Sequence, residues 1–374
     1  MVSVAWLAKD HRARPGYLTK LEKKKKERSD MKIKNIFIVA LVCISVLGFV
    51  MQANAGNTDK LGTAAAQELL IPVGSRGTAL GGAYSAGING IDAIYWNPAG
   101  LANTKSSAEA MLSYMNYIAD INLAYAAAGA RTGIGWFGVS IKSLSFGNIP
   151  VTTEDAPDGT GATFTPNFMT VGLTYSRAMT DRIMFGTSAK IVSETIADNQ
   201  ATGLAFDMGV QYITSVGIKL GVTMKNYGTG MRFSGPELER LVYLPDTEPN
   251  TPPHRLSIPS MKMELPSLFE IGLSYELKPM AKSDLIVAAN FTNNNFGSDR
   301  ISGGAEFAFN DMFFIRGSYL YQTTVSSEDN LWGPAFGFGF KYGLGGNAAM
   351  IFDYTYRTAQ YFGGNHLYTL KFTF

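Results

Sequence analysis

From Ser106 to the carboxy terminus, apolar residues alternate with small or polar ones over segments of ten to fourteen residues, the period-2 pattern of a sheet with two unlike faces. In the last segment Tyr368, Leu370, Phe372 and Phe374 share one face, and Thr369, Lys371 and Thr373 share the other. Upstream, Phe336, Phe338, Phe340 and Tyr342 oppose Gly337, Gly339 and Lys341, while Leu204, Phe206, Met208 and Val210 oppose Asp207 and Gly209. Each strand therefore has a greasy face and a small or charged one. Fourteen such segments are centred near residues 112, 126, 139, 172, 189, 207, 222, 271, 288, 305, 317, 338, 351 and 370. The even number suits a closed antiparallel barrel of the bacterial outer-membrane kind.

The connections sort by parity. Those near Arg131, Thr180-Asp181, Thr214-Ser215, residues 279–282, Asn310-Asp311 and Gly345-Gly346 are short. The intervening joints at 146–165, 227–264, 293–300, 323–331 and 357–365 are long, and the one near Ala119-Asp120 is brief. Outer-membrane barrels have short periplasmic turns and longer outer loops, so the pattern predicts an all-β, fourteen-stranded antiparallel transmembrane barrel over 106–374. It places both ends of the mature chain on the periplasmic side and turns the greasy faces toward lipid and lipopolysaccharide. Closure leaves no unpaired backbone in the bilayer. Tyr368, Leu370, Phe372 and Phe374 form the expected insertion signal for the barrel-assembly machinery.

The amino end reads differently. Residues 31–55 form a secretory signal: Lys32 and Lys34 are the basic part, 36–50 the apolar part, and Ala53-Asn54-Ala55 a small-residue cleavage site. Met31 begins a complete signal, so residues 1–30 read as an upstream extension. Composition then fits the barrel, with 40 Gly, 18 Tyr and 23 Phe against 17% charged residues. Residues 1–55 hold 11 of the 32 basic and 4 of the 30 acidic residues, leaving 21 against 26, a net charge of −5. The basic balance disappears on processing, and with it the case for a nucleic-acid partner. Cys43, the one cysteine, lies in the signal, so neither disulfides nor thiol-ligated metal are expected.

Residues 56–105 are the non-strand portion large enough to plug a lumen of fourteen strands, which is intermediate between side-chain-filled and open barrels. Here Ala64 to Leu70 suggests a short helix ending before Pro72. The small residues from Gly77 to Gly87 allow close approach of backbone to a wall of side chains. Asn97 before Pro98 reads as a capped helix start, and Tyr95 and Trp96 offer apolar faces with polar edges.

Two stretches, Leu70-Ile71-Pro72-Val73-Gly74-Ser75-Arg76-Gly77-Thr78-Ala79-Leu80-Gly81-Gly82-Ala83-Tyr84 and Ile94-Tyr95-Trp96-Asn97-Pro98-Ala99-Gly100-Leu101, resemble the amino-terminal signature of the PorV/PorQ family. That family is related to the FadL-type outer-membrane transporters of hydrophobic compounds. The resemblance implies an internal hatch with Arg76, Gly81, Gly82, Tyr95, Trp96, Asn97, Pro98 and Ala99 as its motif. It also implies a component of type IX secretion that receives exported cargo by its carboxy-terminal β-domain at the outer face. The loops 146–165 and 228–264 would then be contact surfaces, with Met231, Phe233, Leu241, Tyr243 and Leu244 as candidate contacts.

A FadL-like channel for hydrophobic small molecules is the rival reading, and a PorQ-like scaffold for a surface protein a weaker one. An apolar lumen at the outer end would favour the channel. Parity instead places Asp207, Glu270, Glu306, Arg316, Asp353 and Lys371 inside, which leans the other way. Catalysis, cofactors and metals are not expected. The Gly-rich run lacks a following Gly-Lys-Ser/Thr, and His11, His254 and His366 have no metal-ligand spacing.

Overall fold

The computed structural model describes residues 58–374 apart from 244, 246–251, 281, 324 and 326–329. The expected extension 1–30, the signal segment 31–55 and Leu244 lie outside the described residues. Fourteen strands follow one another around a closed barrel: β1 (Ala108–Asn116), β2 (Asn122–Thr132), β3 (Gly135–Ser145), β4 (Asn167–Ala178), β5 (Ile183–Ile196), β6 (Asn199–Ile213) and β7 (Ile218–Gly228), then β8 (Leu268–Met280), β9 (Ser283–Asn294), β10 (Arg300–Phe309), β11 (Phe313–Gln322), β12 (Trp332–Gly345), β13 (Ala348–Ala359) and β14 (Asn365–Thr373). β14 closes antiparallel on β1 in a continuous register from Glu109↔Thr373 to Asn116↔His366. Every centre read from the alternation falls inside its strand.

The two faces are those the alternation requires. Leu204, Phe206 and Met208 are 46%, 43% and 47% exposed, while Asp207 between them is 2% exposed. Asp207, Glu270, Glu306, Arg316, Asp353 and Lys371 are all buried in the lumen. Tyr368 and Phe374 are exposed on the outer wall, with Leu370 and Phe372 half-buried beside them.

The short turns fall where expected, but the opposite end is less regular. β5 and β6 are joined by two residues, Ala197 and Asp198, with Ala197 in the left-handed region at φ 51°. Neither Gly nor Pro punctuates Ile196-Ala197-Asp198-Asn199, so composition does not mark this hairpin. The sorting of connections by length is therefore not strict. The 146–166 and 229–267 connections each carry a small two-stranded hairpin of their own, Ile149–Pro150 with Thr163–Phe164 and Glu239–Val242 with His254–Ser257.

Residues 58–105 lie within the barrel as short turns, among them two short helices, α1 (Ser75–Ala79) and α2 (Ala93–Trp96), and the 3-10 turns Gln67–Leu70 and Pro98–Ala102. The helix expected over 64–70 is only that 3-10 turn, because Ala66 sits in the left-handed region at φ 52°. Leu80, Ile91, Ala99 and Leu101 are fully buried. This segment has too little apolar surface to fold alone and gains its core from the barrel wall.

The carboxy terminus lies at the short-turn end, where the Phe374 N–H donates to Ala108 O at 2.9 Å. Lys60 pairs with Glu264 at 3.4 Å and the Ala65 N–H donates to Glu264 O at 2.9 Å, which places residues 60–65 at the long-loop end. From there the chain descends to α1 before β1 begins, a route that local sequence pattern does not specify.

Candidate functional site

The hatch motif is held by the wall. Arg76 extends from α1 to β10 and donates to both Glu306 oxygens, Nε to Oε2 at 2.9 Å and Nη2 to Oε1 at 2.8 Å. Its Nη1 donates to Asn89 Oδ1 at 2.9 Å. Burial alone would lower the Arg76 guanidinium, but the Glu306 carboxylate beside it holds it above its ordinary range. Arg316 of β11 joins the cluster, donating to Glu306 and to Asp353 of β13, both at 2.5 Å. A second ion pair joins Asp92 of the hatch to Lys371 of β14.

Glycine allows the close packing. A Cβ at Gly77 would lie 2.0 Å from Trp96 Nε1, whose N–H donates to Val73 O at 3.1 Å. Gly82, at φ +73°, lies against the same indole, and Gly81, at φ +61°, lies against Ser318 of the wall. Tyr95 meets Trp96 edge to face at 5.0 Å and donates through its hydroxyl to Leu69 O and Ile71 O at 3.1 and 2.9 Å. Burial pushes the Tyr95 hydroxyl above the ordinary tyrosine range, so it stays a neutral donor. Asn97 caps the Pro98–Ala102 turn by accepting from the Ala99 N–H at 3.2 Å, and its amide donates to Ser85 O at 3.0 Å. The eight motif residues are thus brought into one folded layer.

Wall glycines complete the fit. A Cβ at Gly209 would lie 2.0 Å from Asn97 Oδ1, and one at Gly186 would lie 2.3 Å from the Pro98 carbonyl carbon. Composition shows the glycines but not that those of β5 and β6 seat the Asn97-Pro98-Ala99 turn.

On the long-loop side of this layer lies a cavity of about 720 Å³. Leu70 and Ile71 of the hatch line it with Leu144 of β3, Phe146, Phe168 of β4 and Trp332 of β12. Phe146 and Phe168 meet edge to face at 4.7 Å. The aromatic part of this lining comes from side chains at strand ends and in loops, which strand parity does not count, while the inward-facing Asn290, Thr292, Ser302 and Ser318 keep the strand-borne part of the lumen polar, as parity expects. Charged groups enter at a few places. Lys225 pairs with Glu270 at 3.0 Å, whereas Arg300 and Arg357 have no ion-pair partner among the described residues. The Arg357 guanidinium stacks 3.5 Å from the Trp332 ring centre, and its Nε and Nη2 find no hydrogen-bond acceptor among the described residues. On the short-turn side, a smaller polar cavity of about 370 Å³ is lined by Arg76, Glu306, Arg316 and Asp353. The hatch layer separates the two.

The candidate contact loop divides. Leu241 and Tyr243 stand out at 65% and 72% exposure, but Met231 is fully buried. It packs with Val192, Ala201 and Leu265 against Ala65, Ala66 and Leu69, and Phe233 lies half-buried on the same cluster. Met231 is therefore a core residue, because the backbone bridge Met231↔Met263 folds this part of the loop inward.

Fold and site together define a fourteen-stranded transmembrane β-barrel, closed by an internal hatch with a partly aromatic chamber above it. Among solved structures the chain is similar to the CymD monoaromatic hydrocarbon channel, with TM-score 0.51 at 10% identity over 82% of this chain and 98% of that one. It is also similar to the Ralstonia pickettii toluene transporter TbuX, with TM-score 0.52 at 12% identity over 80% and 97% of the two chains. No protein-family profile matches the chain, and no curated protein does. The likeness to these structures is one of fold.

Proposed function

We propose that this protein is an outer-membrane transporter of hydrophobic small molecules, FadL-like in mechanism, with no catalytic role. The observation that carries this reading is the cavity of about 720 Å³ between the outer loops and the hatch, with Phe146, Phe168 and Trp332 as its aromatic wall. Its size and lining suit a small organic ligand, most of whose surface such a pocket buries. Burying apolar surface contributes roughly 25 cal/mol per Å², which draws such a molecule out of water. Arg300 and Arg357, without carboxylates of their own, would hold the anionic end of an otherwise apolar molecule. The similar structures named as hydrocarbon and toluene channels support the same reading.

Uptake of radiolabelled toluene and palmitate into proteoliposomes tests it. Entry of either probe above protein-free vesicles is expected. Trp332→Ala should slow both probes, and Arg357→Leu should slow palmitate more than toluene. Uptake of both at the protein-free rate would refute the reading.

A second reading, a PorV-like component of type IX secretion that binds cargo at the outer loops, is favoured by one observation, the exposed Leu241 and Tyr243 on the 239–257 hairpin. Co-purification of a carboxy-terminal cargo domain, lost in a Leu241→Ser, Tyr243→Ser variant, is its test.

A further inference from the structure

Residues 64–72 cross the mouth of the chamber and are docked by two kinds of contact. Ala65, Ala66 and Leu69 pack against Val192, Met231 and Leu265. The Ala66 N–H donates to Glu194 Oε1 of β5 at 2.9 Å. Between these contacts Glu68 turns inward and is 3% exposed.

No donor from the described residues reaches either carboxyl oxygen of Glu68. Lys142 of β3 is close, but its ammonium donates to the backbone carbonyls of Glu68 and Ile71, both at 2.6 Å. Of the other cations nearby, Lys190 of β5 pairs with Asp207 at 2.7 Å and Lys225 of β7 with Glu270 at 3.0 Å. The neighbouring carboxyl group is Glu194, which the Ala66 N–H anchors two residues before Glu68 in the chain and which, second to burial, raises the Glu68 carboxyl through its charge. Two carboxyl groups held together out of water cannot both ionise without large cost, and a proton shared between them supplies the missing donor.

We propose that a proton shared by Glu68 and Glu194 latches residues 64–72 into the chamber mouth, so that docking of this segment is proton-dependent. Only the consequence for passage rests on the transport reading. Burial, and then the nearby Glu194, push the Glu68 carboxyl from 4.5 up to about 8. Because the docked state holds the proton more tightly than the released state, the stabilisation is complete below pH 4.5 and is lost as pH rises to about 8. Across that window the docking equilibrium falls by up to about tenfold per pH unit, and above it becomes flat.

The test uses the full chain with Cys43→Ala and a reporter Ala65→Cys, refolded in detergent and labelled with maleimide-polyethylene glycol. Labelling is read at each pH and divided by that of an exposed control, Thr63→Cys, at the same pH, which cancels the pH dependence of the thiolate reaction itself. Labelling of Ala65→Cys should rise steeply between pH 5 and 8. Adding Glu68→Gln, a neutral side chain that can donate to Glu194, should hold labelling at its low-pH level throughout. If that variant does not give a heat-modifiable barrel, Glu194→Gln is read instead and should reduce the pH dependence at least tenfold. Labelling of Ala65→Cys that does not change with pH would overturn the proposal. So would pH dependence that survives in the neutral variant. A labelling shift without toluene or palmitate uptake would leave the latch standing and count against the transport reading.

Discussion

Glu306→Gln is the most direct perturbation of the hatch. Glu306 is 1% exposed and accepts from Arg76 at 2.9 and 2.8 Å and from Arg316 at 2.5 Å. Its replacement leaves two buried guanidinium groups with one carboxylate, Asp353, which reaches only Arg316. Removing one partner of a buried ion pair costs about 3–5 kcal/mol. Since Arg316 keeps Asp353, the loss should fall near 3 kcal/mol, which is about 150-fold in the equilibrium for local opening of the hatch. Hydrogen exchange followed by mass spectrometry in detergent micelles reads this directly. Amides in 75–83 should exchange about two orders of magnitude faster, while those in β4 and β5 keep the wild-type rate. Less than a tenfold change in 75–83, in a barrel that remains heat-modifiable, would show that the Arg76 fork does not hold the hatch.

Three further outcomes follow from the same contacts. Gly186→Val places side-chain atoms where the Pro98 carbonyl carbon stands 2.3 Å from an added Cβ, and overpacking of this kind costs about 1–3 kcal/mol, read as earlier thermal unfolding. The Ser75 and Thr369 hydroxyls lie 2.8 Å apart, so a Ser75→Cys, Thr369→Cys pair should oxidise and tie α1 to β14. If the hatch moves during passage, uptake of toluene should stop in the oxidised protein and return on reduction; unchanged uptake would mean that α1 stays in place. Deleting Phe374 removes its backbone pairing with Ser107 and Ala108 and the exposed ring at the closing seam, and should reduce the heat-modifiable fraction on electrophoresis.

The barrel was legible because lipid and lumen impose opposite requirements on adjacent residues. Ile315 at 66% exposure and Arg316 at 4% show that contrast in a single step of β11. Asn97 before Pro98 was legible as a cap because its chemistry is local. What escaped is non-local. Nothing in the order of residues indicates that Gly209 waits for Asn97 Oδ1, that Lys142 donates to the carbonyls of Glu68 and Ile71, or that Met231 turns inward while Tyr243, on the same loop, stays in solvent. The chamber was missed for the same reason, since Phe146, Phe168 and Trp332 lie far apart in the chain and meet only when the strand ends converge.

The hatch touches the barrel on both sides of the seam between first and last strands. Ser75 and Asp92 meet Thr369 and Lys371 of β14, while the turn begun by Pro98 rests on β5 and β6. The hatch is made before any strand, yet part of its seat belongs to the last strand made. It cannot finish docking until β14 has joined β1, and β14 gains hydrogen bonds and an ion pair to the hatch as it does so. Sealing the wall and stopping the bore are therefore one assembly event, and a barrel left open at its seam is also left without a seated plug.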